Sequence, residues 1–539
     1  MNNSDLYKGM NGISDEILER SENSIKKQGN FPAKWGLIAA AILLVAIAIS
    51  LILIFKNNDK ESESTDDITN VEKTANNENI KNNDKITITE KIDNNATENK
   101  INNEILLADH QVMVAKYPAQ LMRPKMEDYE NENGELDFHK YIEALEKWES
   151  DLNELYSQNR DENETKILEN SRAALWSFTK KSLGTFLDSE NHENRIFSPL
   201  NIYMAMGLLA ESSSGNTREQ ILGALGINSI EELRSMIKNT VKHIYKDDGA
   251  AKTIPASSIW LRDDMEYNTD TLESLAKNYY TSSFTGKMGT EEYSNAFRAW
   301  LNDRTDNLLN DKINNLELND SVVVALASTL LFSAKWNDSF DPEQTRKNIF
   351  HAADGDIECD FMNQNIDALA YYWGDHFDAV NMYLGGNANY MMLILPDEGY
   401  DINELLKDEQ MQSFIEDSQH YAQNKALQVN ISLPKFDVAS SMDISEALMK
   451  LGVTDAFDDR VADFSPLFKN GENICIDKAE HGVRVIADEE GVKATSYMVF
   501  LGYGAAFFEE KMDFVLDRPF IFVINNNYGP LYIGVVEKP

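Results

Sequence analysis

The sequence predicts an α+β domain preceded by one membrane-spanning helix. Three observations predict it. Trp35 to Phe55 carries no charged residue. From about Thr165 to the C-terminus, segments of helical period alternate with apolar runs of strand length. Between Ile474 and Phe520 a strand-like alternation is broken by Glu489-Glu490-Gly491 and then resumes. After the break, Val492, Ala494, Ser496, Met498 and Phe500 share one face, while Lys493, Thr495, Tyr497, Val499 and Leu501 share the other. A connecting segment with that period can be a loop in one state and a strand in another.

Composition bounds the function classes. The chain has 539 residues, and 90 acidic against 50 basic side chains give a net charge of −40. A field of that sign excludes nucleic-acid binding through a basic surface and is repelled by anionic lipid. The two cysteines, Cys359 and Cys475, imply neither a disulfide framework nor a metal site.

Residues 1–34 form a polar tail ending in Lys26, Lys27 and Lys34. The apolar run 35–55 spans roughly 30 Å as a helix, about one hydrocarbon core. It is too long, and lies too far from the start, for a cleaved signal peptide. We expect a retained single-pass anchor in a lipid bilayer, with the lysine cluster keeping the N-terminus inside and the bulk of the chain outside the cytoplasm. Residues 56–104 are rich in Asn, Asp, Glu, Lys and Thr and cannot bury enough surface to order themselves. They read as a tether with a span on the order of 40 Å.

Residues 105–165 read as an extension of different character. Val112, Val114, Tyr117, Pro118, Leu121 and Met122 suggest an extended segment that packs on something. Phe138, Tyr141, Ile142, Leu145, Trp148, Leu152, Leu155 and Tyr156 follow at helical spacing on one face. Docking of that helix on its own domain is favoured over a separate partner. In the domain from 166 to 539, helical patterns cover 167–187, 199–209, 217–225, 269–277 and 294–309. Strand-like runs cover 322–334, 390–395, 426–433, 474–487 and 514–524.

No metal-ligand spacing, phosphate loop or cofactor motif is present. Gly502-Tyr-Gly504 lacks the third glycine and the following helix of a dinucleotide fingerprint. Ser212, Ser213 and Ser214 before Gly215 read as a loop and helix cap, not a nucleophile. Nothing in the sequence supports catalysis, and no cofactor is expected.

Several short motifs occur in one order: Arg195-Ile-Phe-Ser198-Pro199-Leu200-Asn201; Ser213-Ser214-Gly215-Asn216-Thr217; Ser333-Ala-Lys335-Trp336 followed by Phe340-Asp-Pro342; Leu393-Ile-Leu-Pro396; Leu433-Pro434-Lys435-Phe436; Ala462-Asp463-Phe464-Ser465; and Gly529-Pro-Leu531-Tyr-Ile-Gly534. With His481 ten residues before Gly491, and Arg518-Pro519-Phe520 after a variable stretch, this order resembles the serpin family of serine protease inhibitors over roughly 167–539. The resemblance implies a large central sheet, two smaller sheets and about nine helices. It implies a monomer that traps a serine protease as a covalent acyl complex when the cleaved loop inserts into the central sheet.

Counting as the family does from Gly491 puts the reactive bond at Ala505–Ala506, which suits elastase-like or subtilisin-like pockets. Cleavage after Tyr503, suited to chymotrypsin-like pockets, is the alternative. The hinge implied is Glu489, Glu490, Gly491, Val492, Lys493, Ala494, Thr495 and Ser496. Ser198, Asn201, Ser328, His481 and Trp336 are implied around the sheet opening. There are departures: the family usually has Asn at the place of Ser328, a second Ser at the place of Asn201, and Thr or Ser, then Glu and a run of Ala, after the hinge Gly. The inward set beginning at Val492 remains compatible with burial, which favours an inhibitor over a non-inhibitory binding protein.

Overall fold

The computed structural model describes residues 106–539 except 119, 132–135, 158–161, 249–250, 386–388, 478 and 493–509. The tail, the apolar run 35–55 and the tether 56–104 lie outside the described residues. Among those described, no helix is long and apolar enough to cross a membrane.

The first half of the chain runs β1 (Gln111–Met113), α1 (Phe138–Ser157), α2 (Glu162–Leu187), β2 (Arg195–Phe197), α3 (Pro199–Ser212), α4 (Gly215–Leu225), α5 (Ile230–Ile244), β3 (Lys246–Asp247), β4 (Ala251–Arg262), α6 (Thr269–Asn278), β5 (Thr281–Gly286), α7 (Glu291–Arg304), α8 (Asn310–Ile313) and β6 (Val324–Lys335). The second half runs β7 (Arg346–Ala352), β8 (Gly355–Trp373), β9 (Phe377–Leu384), β10 (Asn389–Pro396), α9 (Ile402–Lys407), α10 (Glu409–Glu416), β11 (Asn424–Pro434), β12 (Phe436–Asp443), α11 (Ser445–Lys450), β13 (Glu480–Ala487), β14 (Gly491–Val492), β15 (Lys511–Val515), β16 (Phe520–Asn526) and β17 (Gly529–Val536).

The described residues hold the eleven α-helices named above, not nine. One is the helix of the extension, and others are single turns such as α8, four residues long, too short to leave a helical period. The run 474–487 is a strand only from Glu480, and 514–524 is two strands. Arg518-Pro519 separates those two, since proline has no N–H for a ladder.

The central sheet has eight strands in the order β1-β5-β4-β6-β14-β13-β12, with β3 beside β4. The other strands form one nine-stranded sheet, ordered β15-β11-β8-β9-β10-β16-β17-β2 with β7 beside β8. The two smaller sheets expected from the sequence are therefore continuous. The 19-residue β8 joins them, pairing with β7 and β11 for most of its length and with β9 at Tyr371–Trp373. It turns the corner at a bulge, where the register against β11 shifts between Leu427 and Val429 and Ala368 takes φ 60°.

Local chemistry sets the helix that supports the centre. Ser198 caps α3 by accepting from the Asn201 N–H, and Pro199 fills the first turn. Most of α3 is buried, Leu200, Ile202, Met204 and Met206 among it. The serine run behaves as a boundary: Ser213 Oγ donates to the Ala210 carbonyl at the end of α3, and Ser214 Oγ donates to Asp463 (2.6 Å). Ser214 precedes α4 without a side-chain cap.

The extension adds a strand to the central sheet. β1 pairs antiparallel with β5, and Tyr117 lies between Tyr245 and Tyr280, with ring centroids at 4.8 and 5.4 Å. The amphipathic helix α1 meets the extension itself: the Trp148 indole donates to the Leu121 carbonyl (3.0 Å), Arg123 sits over its ring, and Tyr141 tilts against Tyr129. We expect Tyr117→Ala to cost about 2 kcal/mol and to raise deuterium exchange at Phe284 and Thr285, whose strand it holds. Unchanged exchange there would show that the extension lies on the edge without holding it.

Candidate functional site

The site lies where β13 turns back into β14. Along β13 the buried set is His481, Val483, Val485 and Ala487, while Gly482, Arg484 and Ile486 face the other way. Asp488 closes the turn. Its N–H donates to the Gly491 carbonyl, and its carboxylate accepts from the N–H groups of Glu490 (3.0 Å) and Gly491 (3.2 Å). The far wall is the end of β6. The Trp336 indole donates to the Asp488 carbonyl (2.8 Å), the Trp336 N–H to the Glu490 carbonyl, and the Phe340 N–H to the Glu489 carbonyl.

Glu489 is held by Lys435 (2.7 Å) and by the Thr345 hydroxyl (2.9 Å). Burial works to raise its pKa, but these hydrogen bonds outweigh it and hold the carboxyl below the usual range. Glu490 lies 3.9 Å from Lys335. Gly491 is required by contact: a Cβ there would lie 2.4 Å from the Ala334 carbonyl oxygen and 2.5 Å from the Lys335 Cα.

Gly491 and Val492 form a two-residue strand wedged between β6 and β13. Val492 is opposite Ala334 on one side and Ala487 on the other. Beyond Val492, among the described residues, β6 and β13 share no ladder: β6 pairs with β4 and β14, and β13 with β12 and β14. Between them runs a cleft open to solvent. Its walls include Leu330 and Phe332 of β6 and Val483 and Val485 of β13, and Thr305, Leu308 and Leu309 also line it.

A polar cluster sits in the depth of this lane. Ser198 Oγ donates to the Leu531 carbonyl (2.6 Å), and the Ser198 N–H donates to His481 Nε2 (3.0 Å). The His481 ring is therefore neutral with Nε2 free to accept. Burial pushes its pKa down to about 4. Ser328 Oγ donates to Asn201 Oδ1 (2.5 Å), and Asn201 Nδ2 donates to the Ser328 carbonyl (3.2 Å). The two departures noted in the sequence thus face each other. Serine and asparagine have exchanged places, and one side-chain donor and one acceptor still meet.

The structure brings together Ser198, Asn201, Ser328 and His481 in the lane, and Trp336, Glu489, Glu490, Gly491 and Val492 at its mouth. Lys493, Ala494, Thr495, Ser496, Ala505 and Ala506 lie outside the described residues, as does Tyr503. Sequence reasoning missed the roles of Lys435, Thr345, Asp488 and Arg484. Lys435 lies in the Leu433–Phe436 motif, and Arg484 and Asp488 lie in the alternating stretch from Ile474 to Phe520, but Thr345 and Lys435 meet Glu489 from more than fifty residues away and leave no local signal. Among the described residues, no three His, Cys, Asp or Glu side chains converge as a metal site, and Cys359 and Cys475 are unbridged.

Residues 173–539 match the family model described as Serpin (serine protease inhibitor), and the chain belongs to that family. Most members inhibit serine proteases and are not enzymes. Similar relatives include an uncharacterized serpin-like protein of Methanosarcina acetivorans, 26% identical over 66% of this chain and 84% of that one. Human neuroserpin is 27% identical over 64% of this chain and 86% of its own. Among solved structures, the thermophilic serpin tengpin in its native state superposes with a TM-score of 0.60 at 27% identity, covering 71% of this chain and 95% of that chain. Thyroxine-binding globulin in complex with thyroxine, at 18% identity and a TM-score of 0.58, covering 68% of this chain and 98% of that chain, shares the fold.

Two tests follow from the cluster. Asn201→Ser and Ser328→Asn should each cost about 1–2 kcal/mol, because each leaves a buried group unpaired. The double exchange should cost less than the sum of the two, measured by urea unfolding; strict additivity would show that the pair is not coupled. For His481, the folded pKa lies below the unfolded value near 6.5, so its contribution is fully present above 6.5 and is lost as pH falls toward about 4. Between pH 6.5 and 5 the wild type should therefore lose more stability than His481→Asn does. Parallel curves would contradict the buried neutral ring.

Proposed function

We propose that this chain inhibits a serine protease by letting the cleaved segment after Val492 enter the lane between β6 and β13. The observation that carries the reading is the lane itself: a two-residue strand occupies its mouth and, among the described residues, no ladder closes the rest. Continuing the register of Val492 would set Ala494 between Phe332 and Val485, Ser496 between Leu330 and Val483, and Met498 between Ser328 and His481. Phe332, Val485, Leu330, Val483 and His481 are all buried. The same register turns Lys493 to the face that carries Arg484.

In this reading the target's serine attacks the Ala505 carbonyl, an ester forms, and the amine of Ala506 departs. Insertion then competes with water for the ester. The small residue at the bond favours elastase-like or subtilisin-like targets, and cleavage after Tyr503 would favour chymotrypsin-like ones. The charge-free run 35–55 supports a single-pass anchor, with the inhibitor a monomer outside the cytoplasm. Protease added to intact cells should then release the domain by cutting the tether; protection until lysis would reverse the orientation.

The hinge gives the functional test. Val492 already holds the mouth of the lane, buried between Ala334 and Ala487, and the cleaved strand must extend from it. Burying its side chain is worth roughly 1.5–3 kcal/mol, while an unpaired carboxylate there is strongly opposed. Val492→Asp should be cleaved at the same bond as wild type but yield mostly cleaved product, with little SDS-stable complex. Lys493→Glu should behave nearly as wild type. A binding protein that does not inhibit would give cleaved product alone for all three.

A further inference from the structure

We propose that Arg484 is a latch across the lane, a positioning residue that sets how readily the space between β6 and β13 admits a strand. The proposal rests on the insertion reading above. Arg484 stands on the face of β13 opposite the buried set. Two of its nitrogens grip Asp437 of the neighbouring β12, Nε to Oδ1 at 2.7 Å and Nη2 to Oδ2 at 2.6 Å. The third, Nη1, donates to the main-chain carbonyl of Leu308 at 3.1 Å.

Those partners belong to opposite sides of the lane. Asp437 and Arg484 are on the β12–β13 side. Leu308 follows α7, which packs through Tyr293, Phe297 and Trp300 on the cluster containing Trp260 and Phe284 of β4 and β5. The segment after α7 crosses to the lane, since Thr305, Leu308 and Leu309 line the cleft together with Arg484. Leu309 also approaches β13 directly, its Cδ1 lying 3.7 Å from where a Cβ of Gly482 would stand.

Asp306 and Asn307 take φ values of 50° and 59° in succession, a left-handed pair that Asp and Asn tolerate best after glycine, so the covering segment is a tight turn of its own and not a continuation of α7. A new strand in the lane would place its outward side chains where Leu308 and Leu309 now lie. The segment must therefore lift, and the bond to Leu308 must break. Arg484 can release it at little electrostatic cost, because its fork keeps the Asp437 carboxylate. An ion pair that persists and a single bond to a neutral carbonyl that yields are the two halves of a latch.

The test separates this role from a structural ion pair. The full-length protein is incubated with a synthetic peptide of the sequence of residues 492–499, and uptake is followed by the rise in melting temperature. Arg484→Met should take up the peptide about tenfold faster than wild type, the scale of one hydrogen bond from a charged donor. Asp437→Asn leaves the Leu308 bond in place and should stay near the wild-type rate. Arg484→Lys, which keeps the charge but loses the fork, should fall between.

Equal effects of Arg484→Met and Asp437→Asn, or no acceleration, would overturn the latch. Deuterium exchange at the Leu308 and Leu309 amides tests the contact without insertion. It should rise in Arg484→Met and Arg484→Lys, and unchanged exchange would also overturn the proposal. If wild type takes up no peptide while exchange responds as expected, the insertion reading fails, and with it the consequence drawn here for strand entry.

Discussion

A sheet whose middle is not zipped is the constraint on which this structure depends. Backbone amides and carbonyls in a sheet interior want partners, and strands spaced for a ladder attract whatever can supply them. Here β6 and β13 are held apart at one end by Gly491 and Val492 and share no ladder below them among the described residues. The surroundings answer that opening. Asn201 and Tyr532 donate to the carbonyls of Ser328 and Leu330 on β6, and the Ser198 N–H donates to the His481 ring on β13. The lane is stable enough to persist and polar enough in its depth to be specific.

Much of the site was legible because its residues sit in short motifs that occur in one order. The alternation of β13 follows from neighbouring residues, while Gly491, Ser198 and His481 were implied by the resemblance. The Ala334 carbonyl that leaves no room at Gly491 and the cap that Ser198 makes on α3 needed the fold. The exchanged Ser328 and Asn201 were visible only as two departures. Their compensation needed the geometry, because the pair is separated by 127 positions. Arg484 was invisible for the same reason: its partners are Asp437 and the carbonyl of Leu308.

The fold was read less completely. α5 was missed although Ile230, Leu233, Met236, Ile237, Val241 and Ile244 are buried at helical spacing, and Ser229 caps the helix by accepting from the Glu232 N–H. That signal was present in the sequence. The corner in β8 was not, since a bulge at Ala368 depends on which strands flank it and no glycine marks it. The strand β1 is a similar case: three residues become a strand only because β5 offers an edge. The membrane anchor and the reactive bond rest on residues outside those described, and their support remains the sequence pattern.

On the proposed reading, the lane is a place for a strand that the chain already carries. The direct measurement is thermal unfolding of the full-length protein before and after a single cut between Val499 and Phe507. Filling the lane would add ladder hydrogen bonds on both sides and bury Ala494, Ser496 and Met498, so the cut protein should melt well above the intact one. Equal or lower melting after the cut would contradict the account.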